Sequence, residues 1–565
     1  MKGIERNMKQ KHYLFAVLLI PFSIYFSLPF HWLPETIKKQ HYQWFGLPAY
    51  QAKESVETKA EFEIEDRCPT DRKEWRKAQV IEGVEIQASE TCLVDNPYLI
   101  AAAVKGTNNV SIDTLMQAGL AADAIVKGKD LDGDGDSDEI HIRLEVIELN
   151  GGSPDLKDDI VQFNIAPGIT PGLWVFAPKS FGMSTENFDS LKANPLLRAP
   201  SPSIRIEQND KVKITLENAH YMPHTIHLHG VDHPFVNEQG EGNDGVPSTS
   251  ELPTMPGKSH TYIMQPRQTG TMYYHCHVHA HIHVQMGLQG MIIVEENKPN
   301  NSLQTINVGA GHVRHPSQAS KQQFDSEYDL HYQSIDKDLN DRIKHSNDAR
   351  HSAKSMHNDY DIAEANNDYY LLNGKSFPYT SQESIIVVNP NERIKLRILN
   401  GSDEGISLHT HGHKFTETHY DGVQVPKAAQ ITRDVGWIAS GQRADYLLQT
   451  VNDGLHSYGE GIWPLHNHIA KSMTNDGIGP GGASTMIVYK KYLSEGGFPK
   501  TLGVDWNTYF IADYYKKTMP VWSTYDEYKR FAEAKHEEQS PIRFILLSFL
   551  TLLWLFCLTQ LFRKA

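Results

Sequence analysis

The chain has 565 residues, which exceeds a single domain and predicts two or three. A hydrophobic fraction of 39% with 10% aromatics is enough for real cores, and 54 Lys and Arg against 69 Asp and Glu give a formal charge of −15. That balance argues against nucleic acid as a partner; it permits cationic substrates, although plain solubility accounts for it as well.

Both ends read as membrane anchors. In residues 1–32, the stretch Tyr13–Phe30 carries no charge and follows Lys2, Arg6, Lys9 and Lys11. It is near the length needed to cross a bilayer. Pro29, Phe30 and Trp32 stand where a signal-peptide cleavage site would fall, so an uncleaved anchor is expected. In residues 542–565, Phe544–Phe562 is similarly apolar and precedes Arg563 and Lys564. Basic residues outside both spans predict two cytoplasmic termini, with the body on the extracytoplasmic, periplasmic side of the plasma (inner) membrane.

Residues 33–156 resist classification. They mix a strand-like IHIRLEVIEL with a helical stretch around Ile112–Val126. Cys68 and Cys92, flanked by polar residues, predict a disulfide in an oxidising compartment. The acidic run Lys129–Ile140 places Asp130, Asp132, Asp134 and Asp138 at the spacing of a calcium loop, with Gly135 at the sharp turn. His141 stands where such a loop has its bidentate glutamate, so calcium binding and a solvated acidic loop both stay open.

Residues 157–298 alternate apolar and polar side chains in SIRIEQNDKVKITLEN and GMIIVEE, predicting short half-buried strands of a Greek-key sandwich. Within them lie YMPHTIHLHG (Tyr221–Gly230) and TMYYHCHVHAHIHVQM (Thr271–Met286). On a strand, positions i and i+2 share a face, so His227 projects with His229 and His275 with His277. Cys276 and His224 fall on the opposite face, joined by His281 and Met286. Two imidazoles, a thiolate and a distant thioether are the donors of a blue-copper electron-transfer site.

Residues 299–367 are polar and hold His312, His315, His331, His345, His351 and His357 without fixed spacing. They read as a solvated linker or insertion in preference to a copper-delivery loop. Residues 368–497 return to strands in YYLLNGKSF, ESIIVVN and ERIKLRILN, leading into LHTHGH (His409, His411) and later WPLHNH (His466, His468). Asn467 takes the place that Cys276 fills in the first set, so this half cannot build a second blue-copper centre. Residues 498–541 form a connector with a helix-like DEYKRFAEAKHEE.

At HTIHLHG, HCHVHAHIHVQM, LHTHGH and LHNH the chain resembles the multicopper oxidases, specifically the two-domain type with a ceruloplasmin-like type 1 motif. The resemblance covers about the middle three-fifths of the chain. It implies two cupredoxin-like Greek-key β-sandwich domains, with type 1 copper on His224, Cys276, His281 and Met286. It implies type 2 copper on His227 and His409, and a type 3 pair on His229, His275, His277, His411, His466 and His468. Four coppers would couple one-electron oxidation of a reductant, a metal ion or a small organic or protein donor, to reduction of dioxygen to water. His275 and His277 flank Cys276 and would carry electrons along the backbone. Many two-domain relatives are homotrimers. The acidic residue that some members carry after the cysteine motif is His279 here, leaving Asp421 as a weak substitute proton donor. Copper nitrite reductase needs fewer histidines than these eight, and copper sequestration or electron relay at the membrane needs only part of the set.

Overall fold

The computed structural model describes residues 124–151, 163–179, 198–301, 305–346, 349–494, 498–501 and 509–515, with isolated positions 34, 36, 40, 79–81, 84–86, 109–111, 545, 548–554 and 556. The expected span Tyr13–Phe30, the pair Cys68 and Cys92, and the helix-like stretch 526–538 lie outside the described residues. Two compact units divide the chain, Ile64–Val521 and the two ends, Met1–Glu63 with Trp522–Ala565. Among the described residues no helix is long and apolar enough to cross a membrane. In the terminal unit the described positions 545, 548–554 and 556 are helical, and Ile545, Phe549, Leu552 and Phe556 are exposed.

The body is mainly β. Its first domain contains β1 (Ile125–Lys127), β2 (Glu139–Leu149), β3 (Leu173–Pro178), β4 (Ser203–Glu207), β5 (Lys211–Glu217) and β6 (His227–His229). It continues with β7 (Ser259–Met264), β8 (Gly270–His275), the one-turn helix α1 (Ala280–His283), β9 (Gln289–Glu295) and β10 (Thr305–Val308). One sheet runs β7-β5-β2-β1 with β3 on β2, and the other runs β10-β4-β9-β8-β6. In β5 the sequence KVKITLE alternates and turns Val212, Ile214 and Leu216 inward. These meet Ile204, Ile206, Tyr274 and Ile292 of the second sheet in one core, which defines a sandwich.

The second domain contains β11 (Ser326–Asp336), α2 (Lys337–Lys344), α3 (Ala349–Lys354), β12 (Asn367–Leu372), β13 (Ile386–Val388) and β14 (Arg393–Asn400). After these come β15 (Ile406–Thr410), β16 (Phe415–Tyr420), β17 (Val435–Ile438), β18 (Arg443–Gln449), β19 (Ile462–Asn467) and β20 (Ser484–Tyr489). Its sheets run β11-β14-β18-β16 with β12 on β11, and β13-β20-β19-β15-β17. Leu330, Ile394, Leu396 and Ile398 of one sheet pack against Ile386, Leu408, Leu465 and Ile487 of the other.

Three boundaries differ from expectation. Positions 125 and 126, expected to be helical, belong to β1, and 112–123 lie outside the described residues. The first sandwich begins upstream of residue 157, because β2 pairs in parallel with β5 from Glu139–Lys211 to Glu145–Glu217. The segment 299–367 is structured: β10 pairs with β4, and β11 pairs in parallel with β14. The second domain therefore starts at β11 instead of residue 368.

The physical reason for the last difference is a buried charge network between the domains. Arg205 and Glu295 of the first domain meet Glu327, Asp329, Arg397 and Asp445 of the second, all nearly inaccessible. Arg205 Nη2 lies 2.6 Å from Asp329 Oδ2, Arg397 Nη1 lies 3.0 Å from Asp445 Oδ2, and Arg397 also bonds Glu295 and Glu327. A strand that spends its charges on an interface carries the composition of a solvated linker. Tyr273, Met291, Ile293 and Leu399 form an apolar cluster across the same interface.

Candidate copper centres

Strand β8 ends at His275, and Cys276 continues its pairing by donating N–H to Leu288 O at 3.0 Å. The chain then leaves the sheet. His279 takes a left-handed conformation, φ 43°, and starts α1. Across the sandwich, His224 is fixed by reciprocal backbone bonds with Thr254 of 3.1 and 2.9 Å.

This arrangement brings His224, Cys276 and His283 together, all with no exposed surface. Their Nδ1 atoms lie 3.7 Å (His224) and 3.4 Å (His283) from Cys276 Sγ. Met286, also fully buried, shares the core with Cys276. His281, expected in this group, is exposed and stands apart from it. That expectation rests on the family spacing from Cys276 to His281; here the one-turn helix α1 turns His283 inward and leaves His281 exposed.

Burial pushes the Cys276 thiol up to about 11, opposed by hydrogen bonds from Thr225 and Val278. Burial and then neighbouring imidazoles hold His224 and His283 well below the usual histidine range. Three neutral soft donors converge without a counter-charge, and a cation is the partner that would ionise the thiol. The donor set fits copper.

Behind His224, its Nε2 lies 2.9 Å from His220 Nδ1, and His220 Nε2 lies 3.6 Å from Glu148 Oε2. Met222 N–H also donates to His220 Nδ1 at 3.3 Å, which marks that atom as an acceptor. The Trp174 ring stands edge-on to His224 and His283, at 5.8 and 5.1 Å.

The histidine pairs form two separate quartets, the first on the other face of β8 and the second on β15 and β19 of the second domain. In the first, His275 pairs across the ladder with His227, and His229 Nε2 lies 2.9 Å from His275 Nε2. His277 completes it, with ring centroids 5.1 Å from His227 and 5.7 Å from His275. The second repeats the plan: His409 pairs with His466, and His411 Nε2 lies 3.3 Å from His466 Nε2. His468 stands 5.4 Å from His409.

Equivalent second contacts orient both quartets. His227 Nδ1 donates to Asp244 O at 2.6 Å, and His409 Nδ1 to Asp434 O at 3.0 Å. His275 Nδ1 donates to Cys276 O, and His466 Nδ1 to Asn467 O, at 2.8 and 3.2 Å. Each bond leaves Nε2 free to meet a metal. Burial lowers His275 to about 3 and His229 to about 4, so both offer lone pairs at neutral pH.

Each quartet closes on itself. Among the described residues no ring of the first meets a ring of the second, and the two gather as distinct groups. Both are bordered by exposed apolar side chains. Exposed Phe235, Leu252 and Met255 flank Asp244 in sequence, Phe235 O accepting from Asn243 N–H at 3.0 Å, and Val435, opposite His409, is followed by exposed Trp437.

Asp421, the expected proton donor, sits in the turn after β16 and is engaged by Arg443, Oδ1 to Nη1 3.1 Å. It belongs to the second domain yet lies close enough to the first quartet to act on His229. In the acidic loop, Asp130, Asp132 and Asp138 gather, whereas Asp134 stands outside that group. Their carboxylates accept backbone N–H groups of the loop itself, Gly133 at 2.6 Å and Gly135 at 3.0 Å on Asp130. His141 lies on β2, its Nε2 2.8 Å from Thr215 Oγ1.

Sequence reasoning overlooked Asp244, Asp434 and His220. Asp244 and Asp434 act through main-chain carbonyls, which leave no signature in residue type.

One buried thiol set and two paired-imidazole quartets on twin sandwiches offer the donors of a copper redox protein. Two family profiles, both described as multicopper oxidase, match residues 197–299 and 348–479. These two segments of the chain match the multicopper oxidase family. It is 27% identical over 267 residues to a laccase of Botryotinia fuckeliana, covering 46% of this chain and 49% of that one. It is 24% identical over 264 residues to copper resistance protein A of Escherichia coli, covering 44% and 41%. The chain thus spans about half the length of the curated relatives it matches. A solved blue copper oxidase from Nitrosomonas europaea is similar at 22% identity and a TM-score of 0.46, over 68% of this chain and 95% of that one.

Proposed function

We propose that the chain is the protomer of an oxygen-reducing multicopper oxidase whose trinuclear centre forms where the first quartet of one copy meets the second quartet of another. The separation of the two quartets within one chain carries this reading. Each quartet supplies four imidazoles, too few for three coppers, and each is bordered by apolar side chains suited to a subunit contact. A heterologous contact generates a ring where its rotation closes, and the proposed ring is a homotrimer.

His224, Cys276 and His283 would hold type 1 copper, with Met286 in the same core. His227 and His409 would hold type 2 copper, and His229, His275, His277, His411, His466 and His468 the type 3 pair. Bound copper supplies one-electron acceptance at the first site and four-electron reduction of dioxygen at the cluster. The chain orients His227, His275, His409 and His466 through main-chain carbonyls and excludes water from the thiol. Cys276 links the two centres covalently through His275 and His277.

Copper analysis of the loaded protein tests this. About four coppers per chain are expected from these donor sets, and a ratio of about two supports a nitrite reductase-like site instead.

The uncharged stretches Tyr13–Phe30 and Phe544–Phe562, with their outer basic residues, support a membrane-anchored enzyme with cytoplasmic termini and periplasmic sandwiches. Release of the protein from membranes by alkaline carbonate would contradict the anchoring. The Asp130, Asp132 and Asp138 group supports a calcium-stabilised loop, and an unfolding temperature indifferent to calcium would contradict that.

A further inference from the structure

None of the type 1 donors reaches the surface: His224, Cys276, His283 and Met286 have no exposed area. A reductant must therefore hand its electron to another group. Among the described residues two sets of rings lead outward. Beyond His283, the rings of His279 and His357 stand 6.2 and 6.4 Å away, and His283 Nε2 is buried with no hydrogen-bond partner. Beyond His224 the coupling is closer. His224 Nε2 lies 2.9 Å from His220 Nδ1, and the half-buried Tyr221 stacks on His220 with ring centroids 4.0 Å apart at 33°. Glu148 closes the group: its Oε2 lies 3.6 Å from His220 Nε2, and the Tyr221 hydroxyl faces the same carboxylate. Trp174, fully buried, stands edge-on to His220 at 4.7 Å and donates its main-chain N–H to Met286 O at 2.7 Å, which ties the wall of this path to the copper donors.

We propose that Tyr221 is where electrons enter, crossing the ring stack to His220 and its hydrogen bond to a type 1 copper held on His224. This entry point rests on the oxidase reading above. Tunnelling falls off less steeply through bonded and stacked atoms than across a gap. A hydrogen bond of 2.9 Å and a stack of 4.0 Å therefore outweigh the 6.2 and 6.4 Å separations outside His283. Each entry oxidises the reductant by one electron and reduces one Cu(II) to Cu(I). Four entries and four protons from solvent convert one dioxygen to two waters. No proton travels with the electron. Met222 N–H and His224 Nε2–H both point at His220 Nδ1, so His220 keeps its own proton on Nε2, toward Glu148. Glu148 is thus a positioning residue, fixing the tautomer that accepts from His224.

Anaerobic stopped-flow reduction of the oxidised, copper-loaded chain by hydroquinone, followed at the visible Cu(II)–thiolate band, tests the entry point. Tyr221→Leu is expected to slow bleaching at least about tenfold, with band position, reduction potential and reoxidation by dioxygen as in the wild type. Tyr221→Phe, which keeps the ring, stays within about twofold. His357→Ala, on the other route, bleaches as the wild type does. Bleaching of Tyr221→Leu at the wild-type rate overturns the entry point, as does a shifted band or potential, which marks a packing role. Should Tyr221→Leu fail to load copper, Glu148→Leu carries the test. Histidine nitrogen NMR of the Cu(I)-loaded chain is expected to show His220 protonated on Nε2 in the wild type and a tautomer mixture in that variant, with bleaching slowed about threefold. An unchanged tautomer and rate overturn the path. A wild type that bleaches through Tyr221 and is not reoxidised by dioxygen overturns the oxidase reading and leaves the entry point standing.

Discussion

His283 directs Nδ1 at Cys276 Sγ from 3.4 Å, on the last residue of a one-turn helix whose preceding imidazole, His281, faces solvent. A type 1 copper held by Cys276 would therefore take His283 as its second imidazole. His283→Ala is expected to abolish the intense visible band of the Cu(II)–thiolate bond, as is Cys276→Ser, while His281→Ala retains it. Absorption spectra of the three copper-loaded variants check this, and loss of the band in His281→Ala alone would reverse the assignment.

The hydrogen bond from His224 Nε2 to His220 Nδ1 would tune a copper held at the same centre. With Nδ1 aimed at the thiol, Nε2 carries the proton, and an acceptor there raises the basicity of the ring. His220→Phe is expected to weaken Cu(II) relative to Cu(I) and raise the potential by about 60 mV, the value of a tenfold change for one electron. A spectroelectrochemical titration reads it, and an unchanged or lowered potential would contradict the role.

Arg397 is the hub of the interdomain charges, bonded to Glu295, Glu327 and Asp445. Against the effect of burial, Arg205 and Arg397 hold Glu327 below the usual carboxylate range. Arg397→Met leaves these carboxylates buried without their cation and is expected to cost about 3–5 kcal/mol. Denaturant unfolding of the apoprotein measures it, and a loss below about 1 kcal/mol would show that water or neighbours replace the guanidinium.

His331, fully buried on β11, is lowered by burial to about 3. The unfolded chain takes up a proton below its ordinary 6.5 and the folded chain does not, so stability falls as pH drops from 6.5 toward 3 and is flat above. At pH 5 this side chain alone forfeits roughly 2 kcal/mol. His331→Gln is expected to flatten the acid limb of a stability profile measured from pH 7 to 4. An identical profile in wild type and variant would contradict the burial argument.

Much of the site was legible because strand parity is strict. His227 with His229 and His275 with His277 share faces, and Cys276 lies opposite, as period two demands. Beyond the strand that rule no longer applies: His279 turns the chain into α1, and the spacing that points to His281 does not reveal that His283 is the imidazole turned toward Cys276. Strand β11 was illegible for another reason. Tyr328, Leu330 and Tyr332 alternate toward the core, but Glu327, Asp329, His331 and Gln333 on the other face are polar residues buried against the first domain, so SEYDLHYQSID reads as a solvated segment. Strand β2 was recognised as a strand and assigned to the wrong region, because the acidic loop before it resembles a boundary and its pairing with β5 spans more than seventy residues.

Co-assembly of two disabled chains tests the shared cluster most directly. One chain carries His227→Ala and His229→Ala, the other His409→Ala and His411→Ala, and neither alone retains a complete set of imidazoles. In mixed rings about one quarter of the contacts join an intact first quartet to an intact second, so about a quarter of wild-type oxygen consumption is expected to return on co-expression. Co-expressed rings as inactive as either parent would contradict a cluster built between chains.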